Sequence, residues 1–192
     1  MVKSISLVKG IGNVSQTREF YDNWSNKYDE TLKDWNYQAP KKCLYWLKKK
    51  INFKPKKILD LACGTGLSGE ELIKIYKKSY ICGSDISSKS LLIAEKKKIY
   101  KDLKKYNFEN RYNYRIKFDL ITMIGAMTYC KNFNKLFENI DFYLNQKGYF
   151  IFSHRVDLWE KQDFYNILEN LYNNFKISHI SRPCSYLPKN TN

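Results

Sequence analysis

The sequence predicts a doubly wound α/β fold: a mostly parallel sheet, helices on both faces, and an N-terminal cover of two helices. Three observations carry that prediction. After Pro55, short apolar runs alternate with helix-length segments, which implies right-handed crossovers between parallel strands. The stretch KILDLACGTGLSGEEL, Lys57 to Leu72, passes from a buried-type strand through glycines into a helix, an arrangement that brings backbone close to a nucleotide. The run SYICGSDIS then ends the next strand on Asp85, 19 residues beyond Gly66, where a carboxylate can accept ribose hydroxyls.

The elements follow in order. Residues 1–14 read as a loosely attached arm. From Ser15 onward, Phe20, Trp24, Tyr28 and Leu32 recur every four residues as one helical stripe. YQAPKKCLYWLKKK opens a second helix, with Pro40 in its first turn and Leu44, Leu47 and Ile51 facing inward. Residues 15–54 thus form the cover and 55–192 the core. The length of 192 residues suits one domain, 1–192. Expected strands are Ile58–Ala62, Tyr80–Asp85, a weak one near Tyr106–Phe108, Lys117–Ile124, Tyr149–His154 and Phe175–Ile180. Expected helices between them are Ser68–Lys78, Ser88–Lys104, Phe133–Leu144 and Trp159–Asn173.

Composition narrows the class. A hydrophobic content of 43% suits a globular chain. The net charge of +15 invites a nucleic-acid partner. A coding bias toward Lys, Asn, Ile and Tyr accounts for it too, and Lys outnumbers Arg, the usual recognition residue. Nucleic acid is therefore a permitted partner, not the favoured one. The five cysteines are odd in number, spread out, and without Cys/His ligand spacing; they read as free thiols, with no metal site. Neither a signal peptide nor a run of 18 apolar residues is present, so a cytoplasmic protein without membrane contact is expected, the nucleus being also open.

Which nucleotide the turn holds depends on Asp60. A dinucleotide-binding strand runs apolar into its first glycine so that pyrophosphate can sit on the helix N-terminus. A carboxylate four residues before Gly64 opposes phosphate and suits a cationic ligand. S-adenosylmethionine carries an ammonium and a sulfonium and no phosphate. Asp85 by itself serves either NAD or S-adenosylmethionine. YKDLK, Tyr100 to Lys104, imitates the Tyr/Lys pair of some dehydrogenases, but it falls within the expected fourth helix, 15 residues past Asp85, where its lysines read as a solvated face. An NAD-dependent dehydrogenase is thereby the weakest alternative.

These motifs resemble those of class I S-adenosylmethionine-dependent methyltransferases over nearly the whole chain: ILDLACGTG the first motif, GSDIS the second, FDLITMIGAMTY the fourth-strand motif. The lead-in FYDNWSNKYDETLKDWNYQAP resembles the Williams–Beuren-region methyltransferase-like family most closely. The resemblance implies a Rossmann-like core, S-adenosylmethionine as cofactor and S-adenosylhomocysteine as product. It implies that Tyr28 closes over the methionine carboxylate and that Asp60 reaches the methionine amino group. Gly64 and Gly66 would line the cofactor, Asp85 would hold the ribose, and Ile86 would pack on adenine. The Met123 carbonyl would meet the amino group.

The sequence departs from the family in two places. Asn107, followed by Phe108, stands where an acidic residue usually accepts the adenine amine. KISHISRPCSYLPKNTN supplies a sixth strand and no antiparallel seventh, so the C-terminal strand is expected to be missing. The reaction implied is in-line methyl transfer to a small molecule or a protein. The prolines with which base-amino methyltransferases grip a flipped base are absent after the fourth strand. Acceptor-side candidates are Tyr129 and His154 as catalytic groups, and Tyr37 and Arg155 as substrate contacts. A non-catalytic S-adenosylmethionine-binding module is the competing class.

Overall fold

A computed structural model of the chain describes residues 12–171 and 175–190. Helix α1 (Val14–Asp34) starts where Asn13 caps it: the Asn13 side-chain oxygen Oδ1 accepts the Gln16 N–H at 2.9 Å, and the Gln16 side chain accepts the Asn13 N–H at 3.0 Å. This reciprocal capping box satisfies two otherwise orphaned donors. The expected N-terminal arm, residues 1–14, lies outside the described residues up to residue 11. Helix α2 (Ala39–Lys50) carries Pro40 in its first turn and buries Leu44 and Leu47.

Five strands form one sheet: β1 (Lys57–Leu61), β2 (Tyr80–Asp85), β3 (Asp102–Lys105), β4 (Phe118–Met123) and β5 (Leu144–Phe152). Their order is β3-β2-β1-β4-β5, and every pairing is parallel. Helices α3 (Leu67–Ile75), α4 (Ser88–Lys96), α5 (Phe133–Tyr143), α6 (Val156–Lys161) and α7 (Phe164–Asn170) follow, with one 3-10 turn at Met127–Tyr129 after β4. The central strands are apolar because both faces are covered. Ile58, Ile81 and Leu120 pack under Leu44 and Leu47 of α2 and Leu72 of α3. Leu59, Leu61, Ile121 and Met123 pack on the other face against Leu136 and Ile140 of α5 and Phe164 of α7. Each fully buried Leu or Ile contributes about 1.5–3 kcal/mol.

Several expected boundaries move, each for a physical reason. The fourth helix does not run to Lys104. It stops at Lys96, and Lys98 takes a left-handed φ of 56°. The apolar spacing through Ile99 and Leu103 belongs instead to a turn and a strand. Strand β3 is therefore Asp102–Lys105, ahead of the expected Tyr106–Phe108. Tyr100 falls in the turn before β3, and Ile99 and Tyr100 pack against the core under α3. β5 begins five residues early, at Leu144, and its register against β4 shifts opposite Asp119. Asp119 organises that irregularity, taking the N–H groups of Lys56 and Lys57 at 2.8 and 2.9 Å and the Asn145 amide at 2.7 Å.

The last expected helix is split by Asp163, whose φ is 48°; residues 172–174 lie outside the described ones. The expected sixth strand at Phe175–Ile180 does not form. Among the described residues, 175–190 contain no helix or strand, and Phe175 instead packs edge to face against Phe137, centroids 5.7 Å apart. Farther on, the Gln38 N–H donates to the Tyr186 carbonyl at 2.8 Å, and Lys42 Nζ donates to the Ser185 carbonyl at 2.8 Å. The C-terminal segment thus lies across the start of α2.

Candidate functional site

In a parallel sheet of this kind a ligand cleft is expected at the carboxyl ends of the strands, beside the switch in strand order. The order switches at β1, flanked by β2 and β4. A cleft open to solvent lies there. Ala62, Gly64 and Thr65 line it after β1, Asp85 and Ile86 after β2, and Tyr106 and Phe108 after β3. Ile124, Gly125 and Tyr129 line it after β4, while Thr17, Tyr21 and Tyr28 roof it from α1.

Asp85 joins two of these loops. One carboxylate oxygen accepts the Gly64 N–H at 2.8 Å and the other accepts the Ser87 N–H at 2.8 Å. Burial pushes its pKa up from the ordinary carboxylate value, partly offset by these backbone donors. Gly64 holds a φ of +54°, which lets the loop turn so that its amide faces the carboxylate. An ionised carboxylate has about four acceptor positions, so the bonds to Gly64 and Ser87 leave room for a diol.

Helix α1 is fastened over the cleft by two carboxylates spaced two turns apart on one face. Asp22 accepts the Ser87 hydroxyl at 2.6 Å and the Lys89 N–H at 3.2 Å. Asp29 accepts the Thr65 hydroxyl and pairs with Lys97 Nζ at 2.7 Å. Lys97 also pairs with Glu70 at 3.0 Å. One aspartate therefore grips the loop after β2 and the other the loop after β1. Beneath the helix, the Tyr21 and Tyr129 hydroxyls meet at 2.5 Å. Burial raises the pKa of both phenols and of Tyr28, so the roof presents neutral hydroxyls.

Of the residues expected from sequence, Tyr28, Gly64, Asp85, Ile86, Phe108 and Tyr129 line this cleft. Asn107 lines a smaller adjoining cavity with Ile86 and Phe108, and its amide oxygen already accepts the Glu109 N–H at 3.0 Å. Asp60 stands one layer behind the cleft. Side chains alternate along a strand, and Asp60 shares the Ile58 face, where it accepts the Tyr100 and Thr122 hydroxyls, each at 2.7 Å. Burial raises its pKa to about 6 against those two bonds. Gly66, at φ +95°, faces the Tyr100 ring: a Cβ there would stand 3.1 Å from it. Met123 is fully buried and its carbonyl accepts the Ser153 N–H at 3.2 Å.

The acceptor-side candidates separate. The Tyr37 hydroxyl abuts Gly125, 2.6 Å from where a Cβ would be. His154 lies away from the cleft lining, packed by Phe133, Trp159 and Phe164, with Nε2 3.0 Å from the Gln162 side-chain oxygen Oε1. Burial lowers its pKa. Arg155 forks onto Asp157 at 3.0 and 2.7 Å beside α6. Sequence reasoning missed Tyr21, Gly125 and the two α1 aspartates. Tyr21 sits two helical turns before Tyr28, on the same face, and that spacing was the available signal. Among the described residues no cluster of three His, Cys, Asp or Glu side chains offers a metal site, and no helix is long and apolar enough to cross a membrane.

The donor set fits the cofactor implied by the sequence resemblance: a carboxylate for a diol, apolar Ile86 and Phe108 for a purine face, and a glycine loop open to close approach. Comparison with known proteins bears on the family. The human Methyltransferase-like protein 27 (Homo sapiens) is 38% identical over 65 residues, covering 33% of this chain and 26% of that protein. The malonyl-[acyl-carrier protein] O-methyltransferase of Bacillus cereus is 27% identical over 99 residues, covering 50% of this chain and 36% of that protein. Among solved structures, an S-adenosylmethionine-dependent methyltransferase from Clostridium acetobutylicum superposes with a TM-score of 0.51 at 26% identity, covering 71% of this chain and 56% of that one. The chain thus spans from about a quarter to just over half the length of these relatives. Residues 52–187 match the family model described as a methyltransferase domain, and the chain belongs to that family.

Proposed function

We propose that the chain binds S-adenosylmethionine in this cleft and transfers its methyl group to a small-molecule or protein acceptor, releasing S-adenosylhomocysteine. The observation that carries the reading is Asp85, a half-buried carboxylate in the cleft wall whose backbone bonds to Gly64 and Ser87 leave acceptor positions for a ribose. The lead-in motif and the partial match to the human protein support placement near the Williams–Beuren-region family.

When bound, the cofactor supplies a methyl group already activated on a sulfonium. The residues then have to orient and exclude water, which is worth about 7–11 kcal/mol of barrier in well-aligned cases. In this reading Asp85 holds the ribose diol, and Ile86 and Phe108 sandwich adenine with Asn107 at its edge. Gly64 allows the backbone to approach, and Tyr28 closes over the amino-acid end. Asp60 and Gly66 act from behind, with Tyr100, by holding the loop's shape. Met123 sets the end of β4, with Ile124 and Gly125 lining the cleft beside it.

On the acceptor side Tyr129, hydrogen-bonded to Tyr21, stands in the wall and offers a neutral hydroxyl. Tyr37 and Arg155 flank the same end. His154 stands in an aromatic layer outside this lining, and this reading gives it no part in proton transfer. A cleft lined this way suits an acceptor that is nucleophilic without help from a nearby base.

Titration calorimetry with S-adenosylmethionine and S-adenosylhomocysteine, followed by methyl transfer to a panel of acceptors, tests the proposal. Binding of both with turnover on one acceptor is expected. Binding without turnover on any acceptor means a module that only holds the cofactor. Preference for NADH overturns the assignment.

A further inference from the structure

The charge of the chain is sorted within the fold. Residues 41–57 hold eight lysines and no acidic residue. Lys48, Lys49 and Lys50 end α2, and Lys54, Lys56 and Lys57 lead into β1; all six are exposed. Lys77 and Lys78, also exposed, lead into β2. The register sets these groups side by side: Lys57 pairs with Tyr80, and the Tyr80 N–H donates to the Lys56 carbonyl at 2.8 Å. Lys117, exposed, precedes β4, and Lys147 lies in the irregular turn of β5 opposite Asp119. In a parallel sheet all strand starts share one edge. These lysines therefore line the edge opposite the cleft.

A coding bias toward lysine adds positive charge without arranging it. The aspartates that act in the site, Asp22, Asp29 and Asp85, lie at the cleft end. At the lysine edge stand Asp102, paired with Lys104 at 2.8 Å, Asp119, whose oxygens accept three N–H groups, and Asp141. Two exposed tyrosines interrupt the lysines: Tyr45, 56% exposed on α2, and Tyr80, 42% exposed at the head of β2. Lys49 Nζ lies 5.7 Å from the centre of the Tyr45 ring.

We propose that this edge is a docking surface for single-stranded nucleic acid, with lysines on phosphates and the Tyr45 and Tyr80 rings as stacking platforms. Lysine point charges read phosphate without sequence preference, and exposed rings between them suit unpaired bases. Anionic membrane is the poorer fit: besides the two phenols the edge exposes one apolar ring, Phe142, and Lys117 and Arg111 lie over it at 4.8 and 4.7 Å, whereas an inserting face relies on free Trp, Phe and Leu. The partner docks here and is not thereby the methyl acceptor, because the edge and the cleft are at opposite ends of the strands. The proposal is independent of the function proposed for the cleft.

Fluorescence anisotropy of a labelled 20-nucleotide single strand across a salt series tests it. The full chain is compared with a five-site variant, Lys48→Gln, Lys49→Gln, Lys50→Gln, Lys56→Gln and Lys57→Gln. A control variant carries Lys27→Gln, Lys96→Gln, Lys105→Gln, Lys135→Gln and Lys161→Gln, all exposed elsewhere and removing the same charge. Thermal melts establish that each variant is folded. The edge variant should bind at least tenfold more weakly, its log–log salt slope flattening by about 0.7 for each lysine that contacts phosphate, and the control less than threefold. Equal losses in both variants, no measurable binding by the parent chain, or tighter binding to phosphatidylserine vesicles than to the strand would each overturn the proposal.

Discussion

Tyr100 donates its hydroxyl to Asp60 at 2.7 Å across 40 residues of chain, and its ring occupies the space that three glycines leave empty. A Cβ on Gly69 would stand 2.6 Å from the Tyr100 ring, one on Gly83 2.9 Å, and one on Gly66 3.1 Å. The glycine pattern that reads from sequence as a nucleotide cradle is thus, at these positions, a socket for a tyrosine. Of Gly64, Gly66 and Gly69, Gly64 lines the cleft.

That socket predicts a paired result. Gly69→Ala should destabilise the fold by about 1–3 kcal/mol through overpacking. Adding Tyr100→Ala should recover part of that loss, because the obstructing ring is gone. Denaturant unfolding of the single and double variants measures the coupling; strictly additive losses would refute the contact.

Asp60 predicts a pH dependence. Its pKa is raised to about 6, first by burial, so the folded chain holds a proton that the unfolded chain releases near the ordinary value of about 4. The sign follows from linkage: a group raised on folding stabilises below its unfolded pKa, and that stability is lost as pH rises through its folded one. Stability should therefore fall between about pH 4 and pH 6 from this group. Thermal melts of the parent chain and Asp60→Asn across that range should show a shallower fall in the variant.

Asp85→Ala should weaken S-adenosylhomocysteine binding at least tenfold, since a charge-assisted hydrogen bond is worth about 1.5–3 kcal/mol. It also leaves the Gly64 and Ser87 N–H groups without their acceptor. Asp85→Asn, which keeps one carbonyl oxygen, should fall between the parent chain and the alanine variant. Calorimetry reads all three; an unchanged affinity in Asp85→Ala contradicts the ribose assignment.

Asp29→Ala removes one of the two fastenings of α1. Lys97, whose side chain is 16% exposed, would keep Glu70 as its ion-pair partner, and the Thr65 hydroxyl would lose its carboxylate. We expect faster limited proteolysis within α1 and several-fold weaker cofactor binding, with Asp29→Asn intermediate. Cleavage rates equal to those of the parent chain would show that α1 is held by its aromatic face alone.

Much of the fold was legible because it follows from patterning. Strand β2 has the expected bounds, and β1 and β4 lie within a residue of theirs, since runs buried on both faces leave little else to be. The region after α4 was misread. Ile99 and Leu103 satisfy a helical period as well as a turn and a strand, and only the fit of Tyr100 under α3 chooses between them. The sixth strand failed for a similar reason: Phe175 gains more by packing its ring on Phe137 than the sequence pattern could indicate.

Sequence alone determined the class of the fold, the turn after the first strand and the carboxylate that ends the second, because local spacing and backbone freedom dictate these. Tertiary structure decided what each group faces. Alternation along β1 turns Asp60 away from the cleft onto Tyr100 and Thr122, whereas Asp85, at a strand end, is free to enter it. It also brought Asp22 and Asp29 down onto two loops far along the chain and gathered the lysines at the opposite edge, juxtapositions that depend on how helices and strands cross and not on any nearby residue.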